Sequence, residues 1–291
     1  MPYEPKQMLL MFGVPAAISL VLMLIAWRPW SSAAASGHWA APVAIGVGFI
    51  AGVIALLGKR PAFPPSEAVD WLLYAAAVVA VLGILETFLP LWAEVRGLHV
   101  IVAAGATLFF VLRPIIKNTW PAEQSVITLF AMTAGAYLAW FLIERASERD
   151  PNLLPPLILT IAAGGLAAYM MLSDSLTLGV RAGVLAATLG PIALIGAWSR
   201  KLSLARGAAG AFTVLFTGLL AACYVYPPEP IGWRLLVIAA APLVGLAALW
   251  LPLRGWKRPV VSIALTVIAL LVVMIPAYLD FKKAQESPSP W

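Results

Sequence analysis

The sequence predicts an all-α fold: a polytopic transmembrane helical bundle of about ten spans, with no extramembrane domain. Three observations carry that expectation. Of the 291 residues, 62% are hydrophobic and 11% charged, where soluble domains hold roughly 45–50% and about 25%. The 19 Lys and Arg and 13 Asp and Glu cannot clothe a soluble core of this size, so lipid must be the outer solvent. The apolar residues fall into runs of about 20, the length that crosses about 30 Å of hydrocarbon at a helical rise of about 1.5 Å per residue. Tryptophan, whose ring is apolar and whose N–H stays hydrated, marks the ends of those runs.

The first span is read at residues 8–27, between Lys6 and Trp27. Its apolar stretch is longer than the roughly 7–15 residues of a signal peptide. It is therefore read as a true span although Ala33 and Ala35 have the small-residue spacing of a cleavage site; cleavage would leave nine spans. The second, 40–57, runs from Trp39 to Lys59-Arg60-Pro61, and the third, 69–92, from Asp70-Trp71 to Trp92. The fourth, 97–116, closes on Lys117-Asn118. The fifth, 125–143, continues into Glu144-Arg145-Ala146-Ser147-Glu148-Arg149-Asp150, read as a solvated helical extension. The sixth, 153–172, and seventh, 176–198, flank a short turn, and the eighth, 207–226, holds the single cysteine, Cys223, read as a buried inert thiol. The ninth, 233–251, is bracketed by Trp233 and Trp250, and the tenth, 259–278, runs from Pro259 to Tyr278.

Trp27, Trp39, Trp71, Trp92, Trp198, Trp233 and Trp250 fall at or near these ends, Trp140 lies just inside one, and none is at mid-span. Connections such as Asn118 to Glu123 and Tyr226-Pro227-Pro228-Glu229-Pro230 are turn material. The chain is thus expected to be one integral membrane domain, 1–291, with any site inside the bundle or at its rim. Lys and Arg are nearly balanced between the two sets of connections, with a slight excess that places both termini outside. The expected location is a plasma or inner membrane.

Several function classes are disfavoured. Nucleic-acid binding would need basic residues gathered on one arm and interleaved with aromatics, and the +6 net charge is instead scattered between spans. No buried aspartate pair, serine with a base, or metal-binding helix is evident, so no enzyme activity is expected. His38, Glu86, Glu94, Arg96 and His99 approach one face, but there is no His pair at i, i+4 and no cysteine partner. No metal or cofactor is expected.

Two charges stand inside spans, where burial in lipid costs several kcal/mol. Glu86 lies six residues before Trp92 and is too short to reach the headgroups, so it needs a protein partner, a wet cavity or a bound proton. Arg181 lies five residues into the seventh span, where its long side chain can snorkel to the interface. Ten spans put these two near opposite faces, so a direct ion pair between them is not expected. Gly190-Pro191 is the expected helix break, a type of feature that can expose carbonyls to a substrate. Small pairs such as Gly48 with Gly52 and Gly179 with Gly183 are read as internal packing, with homo-oligomerisation as the alternative. The reading that follows is a transporter of a small molecule or lipid-like solute. The alternative is a noncatalytic structural or assembly subunit of a larger membrane complex. The expected partners are the bilayer and other membrane proteins or a second copy.

Overall fold

A computed structural model of the chain describes residues 4–27, 37–58, 62–89, 92–151, 153–199, 203–226, 232–253 and 255–286. The possible cleavage site at Ala33 and Ala35 lies outside the described residues, as do Lys59-Arg60-Pro61, Pro227 to Pro230, and the basic residues Arg28, Arg200, Lys201 and Arg254. Ten helices among the described residues are long and apolar enough to cross a membrane. They are α1 (Lys6–Ala26), α2 (Ala40–Leu57), α3 (Ala68–Phe88), α4 (Ala93–Asn118), α5 (Ala122–Arg149), α6 (Leu154–Leu172), α7 (Leu176–Trp198), α8 (Ala208–Val225), α9 (Gly232–Trp250) and α10 (Lys257–Glu286). All ten correspond to spans read from the sequence. The chain is a multi-pass, all-α membrane protein.

Two differences from the sequence reading have identifiable reasons. The third span ends at Phe88, short of Trp92, because Leu89 is extended (φ −98°, ψ 133°), the conformation forced on a residue that precedes proline. Glu86 consequently sits in the last turn of α3, closer to the helix end than its spacing from Trp92 implies. The second difference is in α7, which runs unbroken through Gly190 and Pro191, so the expected break is not there. Proline removes the donor that the Ala187 carbonyl would receive. Beside that carbonyl, Ser19 Oγ of α1 donates to the Thr188 carbonyl at 2.6 Å. Hydroxyls from a neighbouring helix are one way such a site is accommodated in a membrane.

The buried apolar side chains form one continuous cluster drawing on all ten helices. Without a strong hydrophobic drive between helices in lipid, close packing must supply the association energy, and small residues permit it. Gly48 and Gly52 of α2 accept Thr188 and Val184 of α7 against their bare faces, and Gly183 of α7 accepts Phe12 of α1. These small-residue faces are therefore occupied within the bundle. One close crossing joins α3 to the start of α8. Gly207 has φ +94°, and a Cβ there would lie 2.5 Å from the Cα of Gly83.

α8 is the most enclosed of the ten helices. It packs against α2, α3, α4, α5, α7 and α9. Most interior hydroxyls are turned back onto their own helices: Thr107 donates to Ala103 O, Ser147 to Ile143 O, Thr160 to Pro156 O and Thr217 to Thr213 O, each at 2.7 Å. This satisfies a polar group where no water reaches it.

Candidate functional site: two buried charge clusters and a lateral groove

The first cluster is at the start of α3. A 3-10 turn, Ala68–Asp70, opens that helix and leaves Asp70 buried. Arg181, in the second turn of α7, is 1% exposed. Its Nη2 donates to Asp70 Oδ1 at 2.7 Å, with Glu67 Oε2 at 4.0 Å. The snorkelling expected of Arg181 does not occur. A carboxylate stands within reach inside the bundle, and an ion pair there replaces the headgroup contact that an unpaired guanidinium would seek. Arg181 Nε and Nη1 are enclosed without hydrogen-bond partners. Asp70, which reads from sequence as a span-edge residue, is a functional-site candidate that sequence spacing missed.

The second cluster is at the other end of α3. Asp70 and Glu86 are 16 residues apart, about 24 Å along the helix, so Glu86 and Arg181 do not meet. Glu86 is 5% exposed, and its Oε1 lies 3.7 Å from Nδ1 of His99 on α4. One turn before His99, Arg96 pairs with Glu144 of α5. Glu144 is buried, which corrects its reading as part of a solvated extension. The helix does continue to Arg149, but Glu144 shares a face with the buried Trp140, Ile143 and Ser147. That helical spacing is the signal that could have found it.

Ser203 ties the adjoining segment to this end of the bundle by donating to Ser147 O at 3.1 Å. His38, just outside α2, is held below its ordinary pKa by burial and by the Arg206 charge, with a backbone hydrogen bond at Ser203 acting the other way. Four of the residues expected on one face thus divide into a Glu86–His99 pair, an Arg96–Glu144 pair and His38 beside Ser203, while Glu94 is exposed. Among the described residues no group of three His, Cys, Asp or Glu side chains is placed to hold a metal.

A lateral groove of about 800 Å3 lies between α5, α8 and α9. α8 forms its floor with Phe212, Thr213, Phe216 and Thr217; Met132 of α5 and Trp233 of α9 line its walls. Ile127 and Leu236, both well exposed, stand at its rim. It extends along α5 from Ile127 to Ile143, about 24 Å by helical rise. The lining is overwhelmingly apolar; Thr213 contributes to it, and the Thr213 hydroxyl itself is buried without a hydrogen-bond partner. No charge lines the groove, and neither Glu86 nor Arg181 opens onto it.

The chain matches no family model, no curated protein and no solved structure.

Proposed function

We propose that this protein binds and translocates an apolar, lipid-like solute carrying a single hydrogen-bonding group. The lateral groove carries the proposal. Its volume lies inside the roughly 300–1,000 Å3 range of small-molecule sites, and an apolar lining with a few polar side chains, Thr213 and Tyr224 among them, is the pattern that fixes a ligand's orientation. Length supports a chain-shaped occupant. The groove runs about 24 Å along α5, far longer than it would need to be for a compact solute. The scarcity of polar side chains, which counts against an ion or sugar as cargo, does not count against a solute that prefers hydrocarbon.

The test is photolabelling of the protein in nanodiscs with a diazirine-bearing long-chain alcohol, followed by peptide mass spectrometry. Crosslinks should gather on α5, α8 and α9, and Gly135→Trp should remove most of them. Gly135 lines the groove and has open space where a side chain would project. Crosslinks spread evenly over lipid-facing helices would sink the reading. The same groove, open at Ile127 and Leu236, also supports a second reading, that it seats a helix of another subunit. Purification from the native membrane in gentle detergent separates the two, because a stoichiometric membrane partner protecting Gly135→Cys from labelling would make the chain a subunit.

A further inference from the structure

Behind the floor of the groove, α8 closes a second and much smaller cavity. It is bounded by Gly83 and Glu86 of α3, His99 and Ala103 of α4, and Gly210 and Val214 of α8. It has about 10 Å3 for the centre of a water molecule, at the lower limit of what holds one. Glu86 Oε1 and His99 Nδ1 face each other across 3.7 Å without a direct hydrogen bond. His99 Nδ1 is enclosed and has no partner. One water, at ordinary hydrogen-bond length from both, would complete them.

We propose that Glu86 and His99, with that water, form a proton-binding site loaded from the headgroup side. The imidazole is suited to the entry because its side chain is 29% exposed while Nδ1 points inward, whereas the Glu86 side chain is 4% exposed. A proton taken up on the outer ring nitrogen makes the ring cationic. The ring then releases the Nδ1 proton to the water, which passes one of its own to the carboxylate and leaves the ring neutral. Nothing else is consumed.

The surrounding charges favour a carboxyl that changes state over one locked by a partner. Arg96 and Glu144 are the charges felt at Glu86, and these two are already paired with each other. Arg206 lies beside His38 and Glu144, disfavouring the charged form of the first and favouring that of the second. Glu94 is exposed, and neither α2 nor α8 brings a charged side chain to this end. His99 is the nearest compensating group. A fixed ion pair such as Asp70–Arg181 has a 2.7 Å contact; Glu86 has none.

The consequence for the groove rests on the translocation reading above. Gly210, Ala211 and Val214 face the cavity, while Phe212, Thr213 and Phe216 of the same helix face the groove. Gly83 and Gly207 leave no slack between α3 and α8 one turn from Glu86. A change of charge or hydration at Glu86 is therefore transmitted through α8 to the groove floor.

Dicyclohexylcarbodiimide, which modifies protonated carboxyls in apolar surroundings, tests the site directly on the full-length protein in nanodiscs. Peptide mass spectrometry should find Glu86 modified at low pH, with the yield falling at least about tenfold as pH rises through the transition. His99→Gln keeps a hydrogen-bonding group but no titratable charge, and should displace the whole profile. Glu86→Gln should abolish the adduct, with gel filtration reporting its fold; if that variant does not fold, the His99→Gln profile carries the test. A flat Glu86 profile, or one that His99→Gln leaves superimposed on the wild type, overturns the proton site. Coupling is read separately, by photolabelling with the diazirine alcohol across the same pH range. A pH-sensitive yield that Glu86→Gln makes constant supports transmission through α8; a wild-type yield already constant with pH overturns transmission and leaves the site standing. If the alcohol never labels the groove, the translocation reading falls, and the carbodiimide result alone decides the proton site.

Discussion

Arg181 Nη2 meets Asp70 Oδ1 at 2.7 Å in the interior of the bundle, joining the first turn of α3 to the second turn of α7. The guanidinium is almost wholly shielded from solvent, so its charge depends on that one close carboxylate. Removing either partner leaves an uncompensated buried charge, at a cost of about 3–5 kcal/mol, whereas replacing both with apolar groups of similar size is often near neutral. Arg181→Met and Asp70→Leu should each lower the melting temperature of the detergent-solubilised protein markedly. The double variant should recover most of the loss. Additive losses in the double variant would show that the two side chains act independently.

The Gly83–Gly207 crossing makes a second prediction. Gly207 combines a positive φ with no space for a Cβ, so Gly207→Ala suffers backbone strain together with overpacking of about 1–3 kcal/mol. Gly164→Ala is the matched control, since nothing lies within 4 Å of a Cβ there. Yield of monodisperse protein in gel filtration should fall for the first and hold for the second.

Thr213 tests the polar requirement of the groove. Thr213→Val keeps the volume and removes the unmatched hydroxyl, so binding of a long-chain alcohol should weaken by about 0.5–1.5 kcal/mol. Binding of the corresponding alkane should not change. Equal weakening of both ligands would show that the hydroxyl makes no contact with the ligand.

His38 gives a pH dependence of stability whose sign is fixed. Its pKa in the folded protein lies below the ordinary value, so between the two values the unfolded chain binds more protons, and stability rises with pH. The contribution is fully present above the ordinary histidine range and is lost as pH falls through the folded-state value. Denaturation of the wild type and His38→Gln across that window should show a shallower slope for the variant.

Sidedness follows from the ten helices. Ser66 lies between α2 and α3 and Glu148 at the end of α5, so they belong on opposite faces of the membrane. Cys223 is fully buried and should not react in the native protein. An impermeant maleimide applied to sealed vesicles should label Ser66→Cys from one side and Glu148→Cys from the other, and the orientation read from Lys and Arg puts Ser66 outside. Labelling of both from one side would mean that a span has been miscounted between them.

The spans were legible in the sequence because lipid imposes a length and a polarity that composition reveals directly. Every helix lies where an apolar run with flanking tryptophan or turn residues placed it. The partners of the buried charges were not legible. Glu86 and Arg181 stood out by position alone, but what each touches depends on which helices are neighbours in space, and spacing along the chain does not contain that. Asp70 and Glu144 escaped notice for a related reason. Both lie near the ends of apolar runs, where a charge ordinarily meets water, and burial there is decided by the neighbouring helix. The groove is a property of how α5, α8 and α9 fail to close against one another, which no single segment encodes.

The hydroxyls turned back onto their own carbonyls have a consequence for permeation. An anion entering the bundle must exchange its hydration shell for surrogate hydrogen-bond donors. Thr107, Ser147, Thr160 and Thr217 have already committed their protons to the preceding turn. Dehydration would go uncompensated along those stretches. The bundle should therefore insulate against anions: a membrane dense with this protein should hold a chloride gradient as tightly as one without it.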